Sequence, residues 1–123
     1  MKQREIFTSL KDKKNIDSVF KKGRKLYSKN LLARYIENPS DHFFPLGVLW
    51  AVPKKIRTAV ERNRLKRVMR SAMFLAACKM QNPERRSSFY LAIIPRIEFE
   101  KLSESERVAE MKFLLNDLMK NGQ

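Results

Sequence analysis

The sequence predicts an α+β domain, a small sheet with helices packed against it. Three observations carry that prediction. Apolar residues recur at helical spacing in three segments, beginning near Asp12, Thr58 and Ser103. Strand-length apolar runs at 30–37, 47–52 and 89–94 lie between them, each closed by proline or by turn residues. The chain, at 123 residues, is one domain's worth. It is long enough to bury roughly two thirds of its unfolded surface without disulfide or metal staples.

Residues 1–11 are basic, show no clear period and are expected to fray. From Asp12 onward Ile16, Val19 and Phe20 fall at i, i+3 and i+4. Lys21 and Lys22 suit a helix C-terminus, and Gly23 suits a glycine cap. Residues 30–37 read as a strand, closed by Asn38-Pro39-Ser40-Asp41. A second strand is placed in part of 43–46, and a third in the apolar run 47–52, which stops at Pro53.

The next segment is the informative one. Thr58 followed by Glu61 makes a capping box that starts a helix, and Glu61 in the first turn suits the helix dipole. Leu65, Val68, Met69, Ala72 and Ala76 share one face, with Met73 at its edge. The opposite face carries Asn63, Lys66, Arg67 and Arg70, with Arg62 and Arg64 on its margins. This helix is expected to reach about Lys79. Residues 81–88 read as a loop, and 89–94 as a buried strand ended by Pro95. Ser103 and Glu106 form a second capping box, after which Val108, Met111, Leu115, Leu118 and Met119 keep helical spacing to Gly122. There is no internal repeat, low-complexity tract or linker, so 1–123 is expected to be a single domain.

The net charge is +14. A domain this positive repels itself unless an anion is near, which points to a polyanionic partner, nucleic acid before acidic membrane. The charge is also concentrated. Residues 54–70 hold eight basic residues and one acid, Glu61. A merely solvated helix face usually interleaves acids at i, i+4; this one does not. A lone cysteine, Cys78, excludes a disulfide framework and suits a reducing compartment. No apolar run has signal-peptide or membrane-span length, so a cytoplasmic protein is expected.

Protein-borne catalysis finds no residues. The one histidine, His42, sits in a turn, and one His with one Cys cannot make a zinc site. Gly23, Gly47 and Gly122 are too dispersed to cradle a phosphate. Binding chemistry is better supplied. The guanidinium fork donates paired hydrogen bonds to phosphate and keeps its charge. Lys66 and Arg70 at i, i+4 make steps of about 6 Å, roughly the phosphate spacing along a strand. Asn63 beside them can donate and accept, which suits a base edge or a 2′-hydroxyl. Phe20, Tyr35 and Trp50 are candidates for base stacking, but their settings favour the core.

The run Ala59-Val60-Glu61-Arg62-Asn63-Arg64-Leu65-Lys66-Arg67-Val68-Met69-Arg70, with Lys54-Lys55 before it, resembles the signature of the bacterial ribonuclease P protein component. Val19-Phe20-Lys21-Lys22-Gly23 resembles the end of that family's first helix. The resemblance implies a four-stranded sheet packed with three helices, like the second domain of ribosomal protein S5. It also implies a left-handed βαβ crossover through the basic helix, against the usual hand. It further implies a role as the non-catalytic subunit of a ribonucleoprotein endonuclease that removes the 5′ leader of precursor tRNA. Lys54, Lys55, Arg62, Asn63, Arg64, Lys66, Arg67 and Arg70 would face a catalytic RNA. Phe20 and the position of Arg34 would line a cleft for the leader. No cofactor or metal is expected on the protein alone, with Mg²⁺ in the RNA-containing holoenzyme, and neither a membrane nor a small-molecule substrate is expected.

The chain departs from the family pattern at Ile16, where an aromatic is usual, and at Arg34, where a tyrosine is usual. It departs again at Leu49, Arg57, Ser71 and Phe74. Two other readings stand beside this one. A different basic RNA-binding or ribosome-associated protein would ignore the leader. A basic amphipathic helix aimed at an acidic membrane or partner would need its apolar side, which Leu65 and Met69 are expected to spend in the core.

Overall fold

The computed structural model describes residues 6–39, 42–54, 58–80 and 87–121. Asp12 starts the first helix by accepting the Lys14 N–H at 3.0 Å, a side-chain cap on α1 (Lys13–Lys22). The helix ends at Gly23, whose N–H donates to the Val19 carbonyl at 3.0 Å. Its φ of −67° is ordinary, so the left-handed cap expected there is not the reason for glycine. The reason is space: a Cβ at this position would collide with the Val19 carbonyl oxygen and crowd the Tyr35 backbone.

Thr58 caps α2 (Ala59–Cys78) as the sequence predicts, its hydroxyl accepting the Glu61 N–H at 3.3 Å. Lys79 closes the helix. The last helix, α4 (Glu104–Asn121), opens on a complete capping box. Ser103 Oγ accepts the Glu106 N–H at 3.2 Å, and Glu106 Oε1 accepts the Ser103 N–H at 3.0 Å. The bond from the Ser103 N–H, then that from its hydroxyl, holds the Glu106 carboxyl below its usual range. Protonating Glu106 therefore loosens this helix start, and the cap is intact above that range.

Five strands form one mixed sheet, where four were expected. They are β1 (Phe7–Ser9), β2 (Arg24–Tyr27), β3 (Leu31–Pro39), β4 (Leu46–Trp50) and β5 (Ser87–Pro95), in the order β1-β4-β5-β3-β2. β1 pairs with β4, and β4 with β5, in parallel; β3 pairs antiparallel with β5 and β2. Since β4 and β5 are parallel neighbours, α2 between them is a βαβ crossover. A short fourth helix, α3 (Glu98–Lys101), also goes beyond the three expected.

Within 1–11, read as frayed, Phe7, Thr8 and Ser9 pair with Leu46, Gly47 and Val48, and Ile6 and Leu10 are buried. No separate strand occupies 43–46; Leu46 is the first residue of β4, the strand expected at 47–52, which ends at Trp50. Phe43 and Phe44, both buried, pack edge-to-face on each other before a cis Phe44-Pro45 bond. Ser87 and Ser88, expected in a loop, already belong to β5. The rest of that loop lies outside the described residues.

The sheet has two unlike faces. Leu31, Ala33 and Tyr35 of β3 point into the main core, with Leu65, Met69 and Met73 of α2 and Met111, Leu115 and Leu118 of α4. The alternate residues point the other way. There Val19 of α1 meets Leu10 and Ala92, flanked by Ile16, Ile36, Leu49 and Tyr90. The domain is thus α1, sheet, then α2 with α4, three layers around two apolar interfaces.

One polar tie joins the layers. Glu110 of α4 accepts from the Ser28 hydroxyl and the Asn30 N–H through Oε1, each at 2.5 Å, and from Asn30 Nδ2 through Oε2 at 3.2 Å. The Asn30 carbonyl in turn accepts the Arg96 N–H at 2.8 Å. This holds the β2–β3 turn against α4 and the end of β5.

Candidate nucleic-acid interface

The basic helix is divided as its periodicity requires. Leu65, Met69, Ala72, Met73, Ala76 and Ala77 are buried in the main core, and Val68 is half-buried. Asn63, Arg64, Arg67 and Arg70 are exposed, and Lys66 is half-buried. Asn63, Lys66, Arg67 and Arg70 make no hydrogen bond or ion pair among the described residues. Their donors are therefore available to a ligand.

The margins are used differently. Arg62 is half-buried and its Nη1 donates to the Lys54 carbonyl at 2.9 Å, so it also ties Lys54 to the first turn of α2. Arg64 stands 3.6 Å from Glu100 Oε1 of α3, a loose pair with Arg64 56% exposed. Such a pair contributes little and yields readily to a phosphate. Lys54 is exposed at the same end. Lys55 and Arg57 lie outside the described residues.

The other predicted site residues lie across the sheet. Arg34 alternates with Ala33 and Tyr35, so it shares the α1 side with Ile36. It pairs with Lys25 of β2 on one flank and with Ala92 of β5 on the other. The Arg34 Nε is buried and has no hydrogen-bond partner among the described residues. Beside this row, Tyr27 pairs with Leu32, and Leu32 with Ile94, on the same face. Tyr27 is 61% exposed and Leu32 and Ile94 are half-buried, so α1 leaves this part of the sheet partly open.

Phe20, at the end of α1, is 37% exposed and not the core residue its helical spacing suggests. Tyr35 and Trp50 are buried, as expected. The α2 surface and the α1 side of the sheet belong to opposite layers. Lys25 and Tyr27 were missed from sequence because β2 carries one buried residue, Leu26, among charged neighbours. Once β3 is placed, the antiparallel register of the adjoining segment is the signal that finds them.

Glu61, Glu98, Glu100, Glu104 and Glu106 open helices or flank them, and among the described residues no three His, Cys, Asp or Glu side chains gather to hold a metal ion. No helix is long and apolar enough to cross a membrane among the described residues. His42 is exposed.

The family model for ribonuclease P matches residues 6–119. The chain belongs to the ribonuclease P protein family. The ribonuclease P protein component of Enterococcus faecalis is 31% identical over 107 residues, covering 87% of this chain and 85% of that one. The ribonuclease P protein from Thermotoga maritima superposes with a TM-score of 0.68 at 23% identity, over 92% of this chain and 96% of the other. The Staphylococcus aureus ribonuclease P protein superposes at 0.62 with 21% identity, over 89% and 94%. These two likenesses establish the shared fold. The family places the chain in tRNA processing as the protein component of a ribonucleoprotein.

Proposed function

We propose that this ribonuclease P protein holds the catalytic RNA along the outer face of α2 and the 5′ leader of precursor tRNA along the open α1 side of the sheet. The bond-breaking step, and the Mg²⁺ that serves it, are assigned to the RNA. The observation that carries the reading is the row Asn63, Lys66, Arg67 and Arg70, unpartnered among the described residues on one helix face of a chain with net charge +14. Cations presented without acids of their own favour a phosphate backbone over a discrete small ligand.

The leader would lie beside Phe20, Tyr27 and the Arg34 guanidinium. Where the family's tyrosine would stack, Arg34 offers charge, and its buried Nε has no hydrogen-bond partner among the described residues. Stacking would pass to the exposed rings. Comparing precursor with mature tRNA for wild type and Arg34→Ala tests this. Wild type is expected to favour the precursor, and Arg34→Ala to lose roughly ten- to a hundredfold of that preference, the worth of one charge-assisted contact. An unchanged preference would remove Arg34 from the leader site.

Reconstitution tests the reading as a whole. With a bacterial ribonuclease P RNA at low Mg²⁺, leader removal is expected only when the protein is present. Log affinity should fall with log salt at a slope of roughly −0.7 per single-stranded phosphate neutralised. Protein that binds RNA tightly yet leaves precursor cleavage unchanged would instead fit a ribosome-associated role.

A further inference from the structure

Between α2 and the first turns of α4 lies an open groove of about 270 Å³, lined by Arg67, Val68, Ser71, Ala72, Leu75, Glu104 and Arg107. It shares only Arg67 with the α2 phosphate face and none of its lining with the leader face. Its floor is the aliphatic stripe Val68, Ala72 and Leu75, at i, i+4 and i+7 on α2. Polar groups of both signs stand around that floor. Arg67 is exposed and without partners among the described residues. Arg107 donates from Nη2 to the Glu100 carbonyl at 2.5 Å, while its Nε is buried with no hydrogen-bond partner among the described residues. Glu104 is exposed.

We infer that this groove receives one unstacked nucleobase of the RNA partner, with Arg67 and Arg107 on its phosphate and Glu104 on its N–H edge. The inference rests on the RNA-subunit reading and extends its contact surface from α2 onto α4. Four features favour a base. The volume sits just below the ~300 Å³ at which small-ligand clefts begin, room for a ring system and little more. The aliphatic floor suits a ring face, where a bare phosphate would want none. A carboxylate opposes a phosphate but accepts from an exocyclic amine or a ring N–H. Finally, Arg67 is shared between the groove and the basic face, so a strand tracking along α2 passes its mouth.

The test uses the full chain and simple probes. Nucleoside 5′-monophosphates are titrated against the protein while the methyl NMR signals of Val68 and Leu75 are followed, with ribose 5-phosphate as the baseless control. The nucleotides are expected to shift both sets of methyls, and ribose 5-phosphate to leave them in place. Ser71→Phe, at an exposed position on the rim, should fill the groove, and Arg107→Gln should remove a guanidinium. Each is expected to weaken nucleotide binding, and binding of a bacterial ribonuclease P RNA, by roughly tenfold. Equal shifts with ribose 5-phosphate would make the groove a phosphate site and overturn the base assignment. Unaltered RNA affinity in both folded variants would overturn the groove while leaving the RNA-subunit reading intact. A wild-type protein that binds no ribonuclease P RNA would instead remove that reading itself.

Discussion

The double variant Arg67→Glu, Arg70→Glu is expected to lose about a hundredfold or more in affinity for a ribonuclease P RNA at physiological salt, with its melting temperature nearly unchanged. Two phosphate contacts disappear and two repulsions replace them, while net charge drops from +14 by four units. Folding should tolerate the change because both side chains are exposed and touch no partner among the described residues. Substitutions at such positions usually stay within about half a kcal/mol each. Fluorescence titration over a salt series, beside a thermal melt, separates the two quantities. A collapse in stability, or affinity equal to wild type, would show that this helix face has been misassigned.

Glu110→Ala is expected to destabilise the protein by about 3 kcal/mol, lowering the melting temperature by roughly 10 °C. The carboxylate accepts three donors from the β2–β3 turn, and Asn30, which supplies two of them, is buried. Removing the acceptor leaves the two donors of buried Asn30 without their partner, which costs more than the bonds themselves contribute. Glu110→Gln, which keeps one acceptor oxygen, should fall between the two. Urea unfolding measures it. A Glu110→Ala protein as stable as wild type would mean that the turn stands without its tie to α4.

The α2 helix was legible because local and tertiary signals agree there. Thr58 and Glu61 mark its start, and the same period that hides Leu65 and Met69 brings Arg67 and Arg70 to solvent. The last helix was legible for the same reason, through Ser103, Glu106 and the apolar stripe behind them. The two edge strands were not. Phe7, Thr8 and Ser9 hold their order from a parallel partner about forty positions away in sequence, which no local pattern encodes. In Arg24-Lys25-Leu26-Tyr27 one buried leucine is too little for a period, and its charges serve instead to guard a sheet edge. Phe43 and Phe44 mislead in the opposite direction. Two neighbouring rings buried together look like strand material, yet alternation would have exposed one of them.

The site shows the same division. Positions on α2 followed from helical geometry alone. The setting of Arg34, by contrast, depends on two cross-strand neighbours, Lys25 and Ala92, that only the register reveals. Arg107 escaped notice because its importance comes from packing against Glu100, not from any pattern around it.

The placement of α2 as the bridge between β4 and β5 makes assembly of the sheet and display of the cationic row a single cooperative event. A helix tethered at both ends to adjacent strands has little freedom left to forfeit when RNA arrives, so that entropic cost has already been met during folding. Backbone amides of α2 should accordingly exchange with solvent through the same opening as those of β4 and β5.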